Sequence, residues 1–551
     1  MRVEYIKKKV NGKTYSYPFL VSSYRDENGR PTKKVIQALS YLPEETVNAM
    51  KVSLQTKTEV KFVPEGSVAF INSISFGSEY VVFELLKQIG VVSALAGLNA
   101  NNQKTVIASI IDRVINPKPY SKKSLSKNFY RSIAKRLLFA EQEIPEQAWY
   151  DSLEELYENQ EQVEKKLFNE PVNNLYLYDI TSSYFEGFCC DLAKRGYNRD
   201  GKVGKLQIVI GLLTNKAGKP ISVEVFDGNT ADQSTVIDQI KKLRNRFGIE
   251  QLTFVGDRGM ITNKRIEDIE NDDDLKTMTK YITALTHAEI VKFEKDNRHP
   301  MQLGLFDERK VVELENDGKR YLLCKNPKKA LEDKAFRDNY FNKTNDNLYK
   351  IFMQISDKKL KNKEKIQGRI NKLFERWHMG KYFKYEVSEG FLHYEINKEE
   401  LDKAALLDGC YVLTSNLNKE QATKDEIVES YRDLQKVEQA FKSLKTTDIF
   451  IRPIRHWNSN RVKGHVLLCT LSYLVIWEVK HRLSDLFSKD EAIADCETIR
   501  DVWDTLSEIS IGTIKIGEKT VEQLGTITSD QKQLLKKLGV SITNKTLEKI
   551  L

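Results

Sequence analysis

Apolar positions along the chain change period several times, and each change marks an element. Residues 1–42 set aromatic and β-branched residues around two tight-turn dipeptides, Asn11-Gly12 and Asn28-Gly29, which predicts a small β-meander. Residues 78–168 take helical spacing: Val81, Leu85, Leu86 and Ile89 precede Gly90, and Leu153, Leu156, Val163 and Leu167 recur on a charged stretch that Pro171 stops. Leu175–Thr181, Leu206–Thr214 and Pro220–Phe226 then read as buried strands, the last two joined through Asn215-Lys216-Ala217-Gly218 into an antiparallel hairpin. Ser234–Phe247 is helical by its spacing, and Leu252–Gly256 and Tyr281–Leu285 are short strands. A meander followed by βαβ crossovers makes a mixed sheet flanked by helices.

Residues 286–405 interrupt this order. They hold a candidate hairpin (Val311–Leu314 and Tyr321–Cys324 about Asn316-Asp317-Gly318), a basic helical stretch from about Lys350 to Trp377, and a second hairpin, Tyr382–Val387 with Phe391–Ile396. Gly409–Thr414 returns as a strand, Thr423–Lys445 reads as one long helix, 461–485 as an apolar helix, and 488–551 as a small helical tail. With 551 residues the chain exceeds what one core serves. The expected fold class is α/β: a ribonuclease H-like mixed-sheet core (171–285 and 406–480) with a large α+β insertion (286–405). A small N-terminal β domain (1–60) and a helical domain (61–170) precede it, and a helical tail (481–551) follows.

Composition narrows the partners only slightly. Lys and Arg number 87 against 78 Asp and Glu, a formal charge of +9 that suits a polyanion without requiring one. Two places concentrate the basic residues: the N-terminal strands, with Lys7, Lys8, Lys9, Lys33 and Lys34, and Lys118–Lys135, where Tyr120, Phe129 and Tyr130 are interleaved. Either can meet phosphates and bases or be a solvated face. The six cysteines form no CxxC pair and the histidines no HExxH, so no structural zinc is expected and the thiols suit a reducing compartment. The N-terminus lacks the apolar run of a signal peptide, and the apolar stretch near Val466–Val479 is too short to span a bilayer. A cytoplasmic, nucleoid-associated protein with no membrane partner is expected.

Chemistry enters with three acids. Asp179 sits in the apolar strand Leu175-Tyr176-Leu177-Tyr178-Asp179, and an acid there is costly to bury unless paired or metal-bound. Asp257 ends another strand between Gly256 and Gly259, which leave room around it, and in the proposed order the two strands are neighbours. On the long helix, Leu434, Val437, Phe441 and Leu444 mark a buried stripe, while Tyr431, Glu438 and Lys445 recur every seven residues, about two turns, and so line up beside it. Lys442 lies next to that line. Carboxylates are the natural ligands of two magnesium ions roughly 3.5–4 Å apart, which can activate a nucleophile and stabilise a reacting phosphodiester.

The strings Tyr178-Asp179-Ile180-Thr181, Phe226-Asp227-Gly228-Asn229-Thr230, Gly256-Asp257-Arg258-Gly259 and Tyr431-Arg432 through Glu438 to Lys445 resemble the DDE transposases of bacterial insertion sequences. They look most like the IS-four-type branch with a Tyr-Arg-Glu-Lys signature and a β-rich insertion. Tyr24-Arg25-Asp26-Glu27-Asn28-Gly29 and Arg452-Pro453-Ile454-Arg455-His456-Trp457 fit the same resemblance. It implies Asp179, Asp257 and Glu438 as catalytic ligands of two Mg2+ (or Mn2+) ions, and Tyr431 and Lys445 as signature residues near the DNA ends. It also implies double-stranded DNA with terminal inverted repeats as substrate, a target DNA, and a homodimer in the DNA complex. The implied chemistry is hydrolysis at the element end followed by attack of the freed 3′-hydroxyl on the target. Lys442 and Lys445 would hold phosphate, and Arg452 and Arg455 the backbone beyond. One departure stands out: the signature's Arg falls three residues after the Tyr, where this chain has Leu434. Arg432 is basic but is expected to point elsewhere on the helix. A related nuclease, or a transposase-derived DNA-binding protein without activity, are the alternative readings.

Overall fold

The structure is a computed structural model. It describes the chain apart from residues 57–67, 129–131, 140–141, 169–173, 203, 287–288, 291, 293–310, 317, 488–496 and 549–551. Phe129 and Tyr130 of the basic stretch, the helix stop at Pro171, the turn residue Asp317 and Cys496 therefore lie outside the described residues. The chain divides into two compact units, one made of Met1–Phe76, Glu508–Thr528 and Ile542–Leu551, the other of Gly77–Ser507 and Ser529–Ser541.

In the smaller unit, β1 (Arg2–Val10), β2 (Lys13–Arg25) and β3 (Pro31–Ala38) form the expected antiparallel meander. Asn11 and Gly12 both take positive φ (51° and 78°), the conformation a two-residue hairpin demands. The Glu44–Thr56 helix covers the sheet through Val47, against Val3 and Leu39. A second sheet pairs β4 (Val68–Ser75) with Ser510–Ile516, and that strand with Lys519–Leu524. The 481–551 stretch is thus not a helical tail: two of its strands complete a sheet begun at residue 68.

The larger unit is built on an eight-stranded mixed sheet. Its strands are β5 (Leu175–Tyr184), β6 (Gln207–Asn215), β7 (Pro220–Phe226), β8 (Leu252–Gly256), β9 (Thr279–Ala284), β10 (Val312–Asn316), β11 (Lys319–Lys325) and, after the β12–β13 hairpin (Phe383–Ser388 and Phe391–Ile396), β14 (Cys410–Ser415). The spatial order is β10-β11-β14-β9-β8-β5-β6-β7. β5, β8 and β9 run parallel and their other neighbours antiparallel, which is the strand arrangement expected of a ribonuclease H-like core. The apolar layer on one face joins Tyr178, Leu213, Phe254 and Tyr281 of the strands to Ile240, Leu243 and Ile266 of the crossover helices. The Leu434–Lys442 helix packs on β5 and β6, and the Ser459–Arg482 helix on β7.

The insertion does two things. Its first hairpin joins the main sheet, because β11 pairs with β14. Its remainder has a core of its own around Leu348, Ile366, Ile370 and Leu392. The basic helical stretch is two helices, Pro327–Ser356 and Lys363–Trp377, and begins earlier than its charge pattern suggests. Ser459–Arg482 is long and apolar enough to cross a membrane, unlike the shorter run read from sequence. Here it is a core helix, buried along most of its length against the Ala100–Ile115 and Glu146–Glu158 helices. Gly464 permits that approach: a Cβ there would lie 1.9 Å from the Leu153 carbonyl oxygen.

Candidate active site

Register brings the first two acids together. β5 and β8 are parallel, with Tyr178 opposite Gly256 as the last pair, so the next residues along, Asp179 and Asp257, face each other where β8 ends. Asp179 is mid-strand, since β5 runs on to Tyr184. After β8 the chain turns sharply, with the Met260 and Ile261 N–H groups donating to the Asp257 carbonyl at 2.9 and 3.2 Å. Gly256 is tightly packed, since a Cβ would meet the Ile261 side chain at 3.1 Å, whereas Gly259 faces open space.

Glu438 arrives from the far side. The expected single helix breaks at Asp433 into Lys424–Arg432, which begins with a Thr423/Glu426 capping box, and Leu434–Lys442, followed by a wider π-turn at Ser443–Thr447. Val437, Phe441 and Leu444 are buried as expected, but Leu434 is only half-buried. The tip of the β6–β7 hairpin is pinned to this helix, Lys436 Nζ donating to the Lys216 carbonyl at 3.0 Å.

One cleft is lined by Asp179, Asp257 and Glu438 together with Tyr431, Arg432 and Leu434. Arg432 therefore does reach the cleft. The break at Asp433 changes the angular relation that a continuous helix would have fixed. Lys325 and Asn326 of the insertion and Tyr411 of β14 complete the wall; the sequence reading did not single these out.

The electrostatics follow from that convergence. Burial first, then the like charges of Asp257 and Glu438, push the Asp179 carboxyl up to about 7, against a 2.8 Å bond from the Ile180 N–H and the nearby Arg199 cation. Tyr431 donates its hydroxyl to Asp257 Oδ1 at 3.4 Å and stacks on Tyr411. Burial, and then Asp257, raise its pKa. Among the described residues no three His, Cys, Asp or Glu side chains stand at metal-ligating spacing. The acids share a cleft without being drawn onto one point.

Lys445 and Arg452 meet on an acid that sequence reasoning missed. Asp200, with its side chain 4% exposed, takes Lys445 Nζ at 2.9 Å on Oδ1 and Arg452 Nη1 at 2.7 Å on Oδ2. Lys445 also donates to Thr181 Oγ1 at 2.6 Å, two residues beyond Asp179. Asp200 lies in Asn198-Arg199-Asp200-Gly201, which reads as an ordinary turn. Lys442 and Arg455 are exposed. His456 turns inward, edge-on to Tyr150 and 5.2 Å from the His465 ring, while Trp457 projects outward. In the Lys118–Lys135 stretch, Lys122 is buried, which lowers its pKa to about 7, and only part of that basic run faces solvent.

A family model described as the transposase DDE domain matches residues 177–475, more than half of the chain and the span holding all three acids. The N-terminal domain of IS1634 family transposases matches residues 3–62. The chain belongs to the DDE transposases of insertion sequences. The transposase is thus an enzyme that cleaves and transfers DNA, and its family generally uses divalent metal ions. No curated protein matches its sequence. Among solved structures, the cryo-EM piggyBac transposase synaptic complex with hairpin DNA matches it at 9% identity over 86% of each chain, with a TM-score of 0.35. The donor set in the transposase's cleft suits a divalent ion: the acids offer carboxylate oxygens, which hard cations prefer, and their mutual repulsion at Asp179 is what a bound cation relieves. The Phe226-Asp227-Gly228-Asn229-Thr230 string has a structural role, since Asp227 pairs with Lys194 and a Cβ at Gly228 would lie 1.9 Å from the Gln207 carbonyl oxygen.

Proposed function

We propose that the transposase cuts DNA at the terminal inverted repeats of its own element and joins the freed ends to a target duplex, with Asp179, Asp257 and Glu438 as the ligands of two Mg2+ or Mn2+ ions. The observation that carries this reading is the convergence of three acids from β5, from the turn after β8 and from the Leu434–Lys442 helix on one cleft, where burial first, and then the charges of the other two, raise the proton affinity of Asp179. Divalent ions bound there supply charge neutralisation at the phosphate and favour loss of the nucleophile's proton.

The chain's own residues have distinct tasks in this scheme. Tyr431 holds the Asp257 carboxylate through its hydroxyl. Arg432, on the cleft wall, offers a guanidinium to the phosphate, in place of the cation that Leu434 does not supply. Lys445, fixed by Thr181 and Asp200, sets positive charge beside β5, and Lys442 and Arg455 meet the backbone further out. In the first step a water oxygen attacks phosphorus and the bond to the 3′ oxygen breaks, leaving a 3′-hydroxyl. In the second, that hydroxyl attacks a target phosphodiester and displaces its 3′ oxygen. A homodimer would hold the two ends together on nucleoid DNA in the cytoplasm.

The test is cleavage, with magnesium, of a plasmid carrying the gene between its flanking sequences, comparing wild type with Asp179→Ala. Cuts at the element ends that vanish in the variant support the reading. Binding of the ends without cleavage in either protein would sink the carboxylate assignment.

A further inference from the structure

The resemblance gives Lys445 and Arg452 to the DNA backbone, but the fold gives both to Asp200. Their side chains are 12% and 18% exposed, and neither lines the cleft that holds the three acids. The Asp200 carboxylate is fully used: Lys445 Nζ donates to Oδ1, and Oδ2 takes both Arg452 Nη1 and, at 3.1 Å, the Tyr184 N–H. The Arg452 guanidinium also lies over the Tyr184 ring, 5.3 Å from its centre. A phosphate that drew either cation away would leave a carboxylate only 4% exposed without its partner, and a buried charge left uncompensated is strongly unfavourable. An exposed lysine such as Lys442 meets a phosphate without that penalty.

What the cluster holds is β5. β8 ends opposite Tyr178, so from Asp179 to Tyr184 β5 has a strand on one side only, β6. Backbone N–H groups alternate between the two sides of a strand. The Phe185 N–H donates to the Leu206 carbonyl on the β6 side at 2.8 Å, so those of Tyr184 and Glu186 point to the other side. There Tyr184 meets Asp200, and Glu186 meets the Ile454 carbonyl at 2.9 Å, two residues past Arg452. The same turn contributes the Arg199 N–H, which donates to Ser182 Oγ at 2.9 Å, and Lys445 donates to Thr181. Thr181, Ser182 and Tyr184 are thus tied where a neighbouring strand is missing, just beyond Asp179. Lys445 lies in the π-turn that continues the Glu438 helix. The ties therefore connect the strand of one acid to the helix of another.

We propose that Asp200 is a positioning residue of the transposase: it withholds Lys445 and Arg452 from DNA and, through them and the Tyr184 N–H, fixes β5 so that Asp179 keeps its place in the cleft with Glu438. This rests on the reading of those two acids as metal ligands. Lys445 then acts on the placement of the carboxylates and not on a phosphate.

The test uses the full-length protein with Asp200→Asn and Lys445→Met, singly and together. Asp200→Asn keeps the shape and loses the charge. Lys445→Met leaves Asp200 paired with Arg452, so it decides the matter should Asp200→Asn fail to fold. Without metal, amide exchange at Tyr184 should quicken about ten-fold in Asp200→Asn. Duplexes carrying the gene's flanks should bind Lys445→Met with the wild-type slope of log K against log salt, and Asp200→Asn no more weakly than wild type. With magnesium, each single variant should cut the plasmid's element ends about ten-fold more slowly at saturating DNA, and should need more magnesium to reach half its maximal rate. The double variant should be no slower than the slower single one, because both changes break one linkage. A slope lower by about one in Lys445→Met would make that lysine a phosphate contact and overturn the proposal. So would wild-type cutting, or wild-type exchange at Tyr184, in Asp200→Asn. A wild-type protein that cuts no ends counts against the functional reading instead, and the slope and the exchange rate still decide the role of Asp200.

Discussion

His456 and Trp457 are neighbours in sequence and opposites in environment, and the half-buried, inward-turned one titrates. Burial first, then the cations Lys122, Arg461 and Arg113, hold the His456 imidazole down to about 4, from the usual 6.5. Between those values the unfolded chain binds more protons than the folded one. The contribution is therefore present above pH 6.5 and is lost as the pH falls towards 4. Denaturant unfolding at pH 5 and pH 7 should show a loss on acidification that His456→Phe reduces by on the order of 1–2 kcal/mol. An unchanged difference would mean that His456 is solvated. Leu434 gives a second prediction. It lines the cleft and is only half-buried, so an Arg side chain has room to reach solvent from it. Leu434→Arg should change stability by no more than about 0.5 kcal/mol. It should also steepen the salt dependence of end binding by about one phosphate contact. A slope equal to wild type, with the fold intact, would place the DNA backbone away from this wall. At this scale Asp179, Asp257 and Glu438 were legible because each sits in a patterned element. Asp200 was not, because it lies in a connection with no period to interrupt.

The signature helix shows what an element-level pattern conveys and what it conceals. Its apolar stripe is continuous across Asp433, so the sequence reads as one helix, although the backbone breaks there and widens again at Ser443–Thr447. The strands were more legible, since β5 to β8 are buried apolar runs bounded by turns. Position along the sheet then depends on contacts such as Gly218. That residue takes φ +81°, and a Cβ on it would lie 2.9 Å from the Lys436 Cβ, on the helix that carries Glu438. Gly218→Ala should therefore cost about 1–2 kcal/mol for the left-handed backbone and also shift the helix. Gly248 is the control: its φ is +69° and nothing lies within 4 Å of the added Cβ. Both variants should lose similar stability in denaturant melts, but Gly218→Ala alone should lose end cleavage, at least ten-fold. Equal activity in the two would mean that the hairpin tip does not set the position of Glu438.

On the scale of the whole molecule, the chain's last residues return to two places. Strand Ser510–Ile516 pairs with β4, more than 400 residues earlier, whereas Leu534 and Leu538 of the following helix are fully buried in the larger unit. The strand was hidden in the sequence for a physical reason. A register shift between Thr513 and Ile514 breaks its alternation and leaves Ile511 and Ile514 at a spacing that mimics a helix. The helix is anchored through its C-terminal carbonyls, Leu538 accepting from Arg482 at 2.6 Å and Gly539 from Gln88 at 2.9 Å. Two lesions should then separate. Leu534→Ala/Leu538→Ala should destabilise the larger unit by on the order of 5 kcal/mol through lost burial and cavities. It should leave slow amide exchange at Val68–Ser75. Deleting the chain from Glu508 removes the same helix and also the strand that pairs with β4, so protection at Val68–Ser75 should collapse as well and an unpaired edge should promote aggregation. If those amides stay protected after the deletion, β4 owes its order to something other than the C-terminal strand. The small unit would then be complete in its first 76 residues.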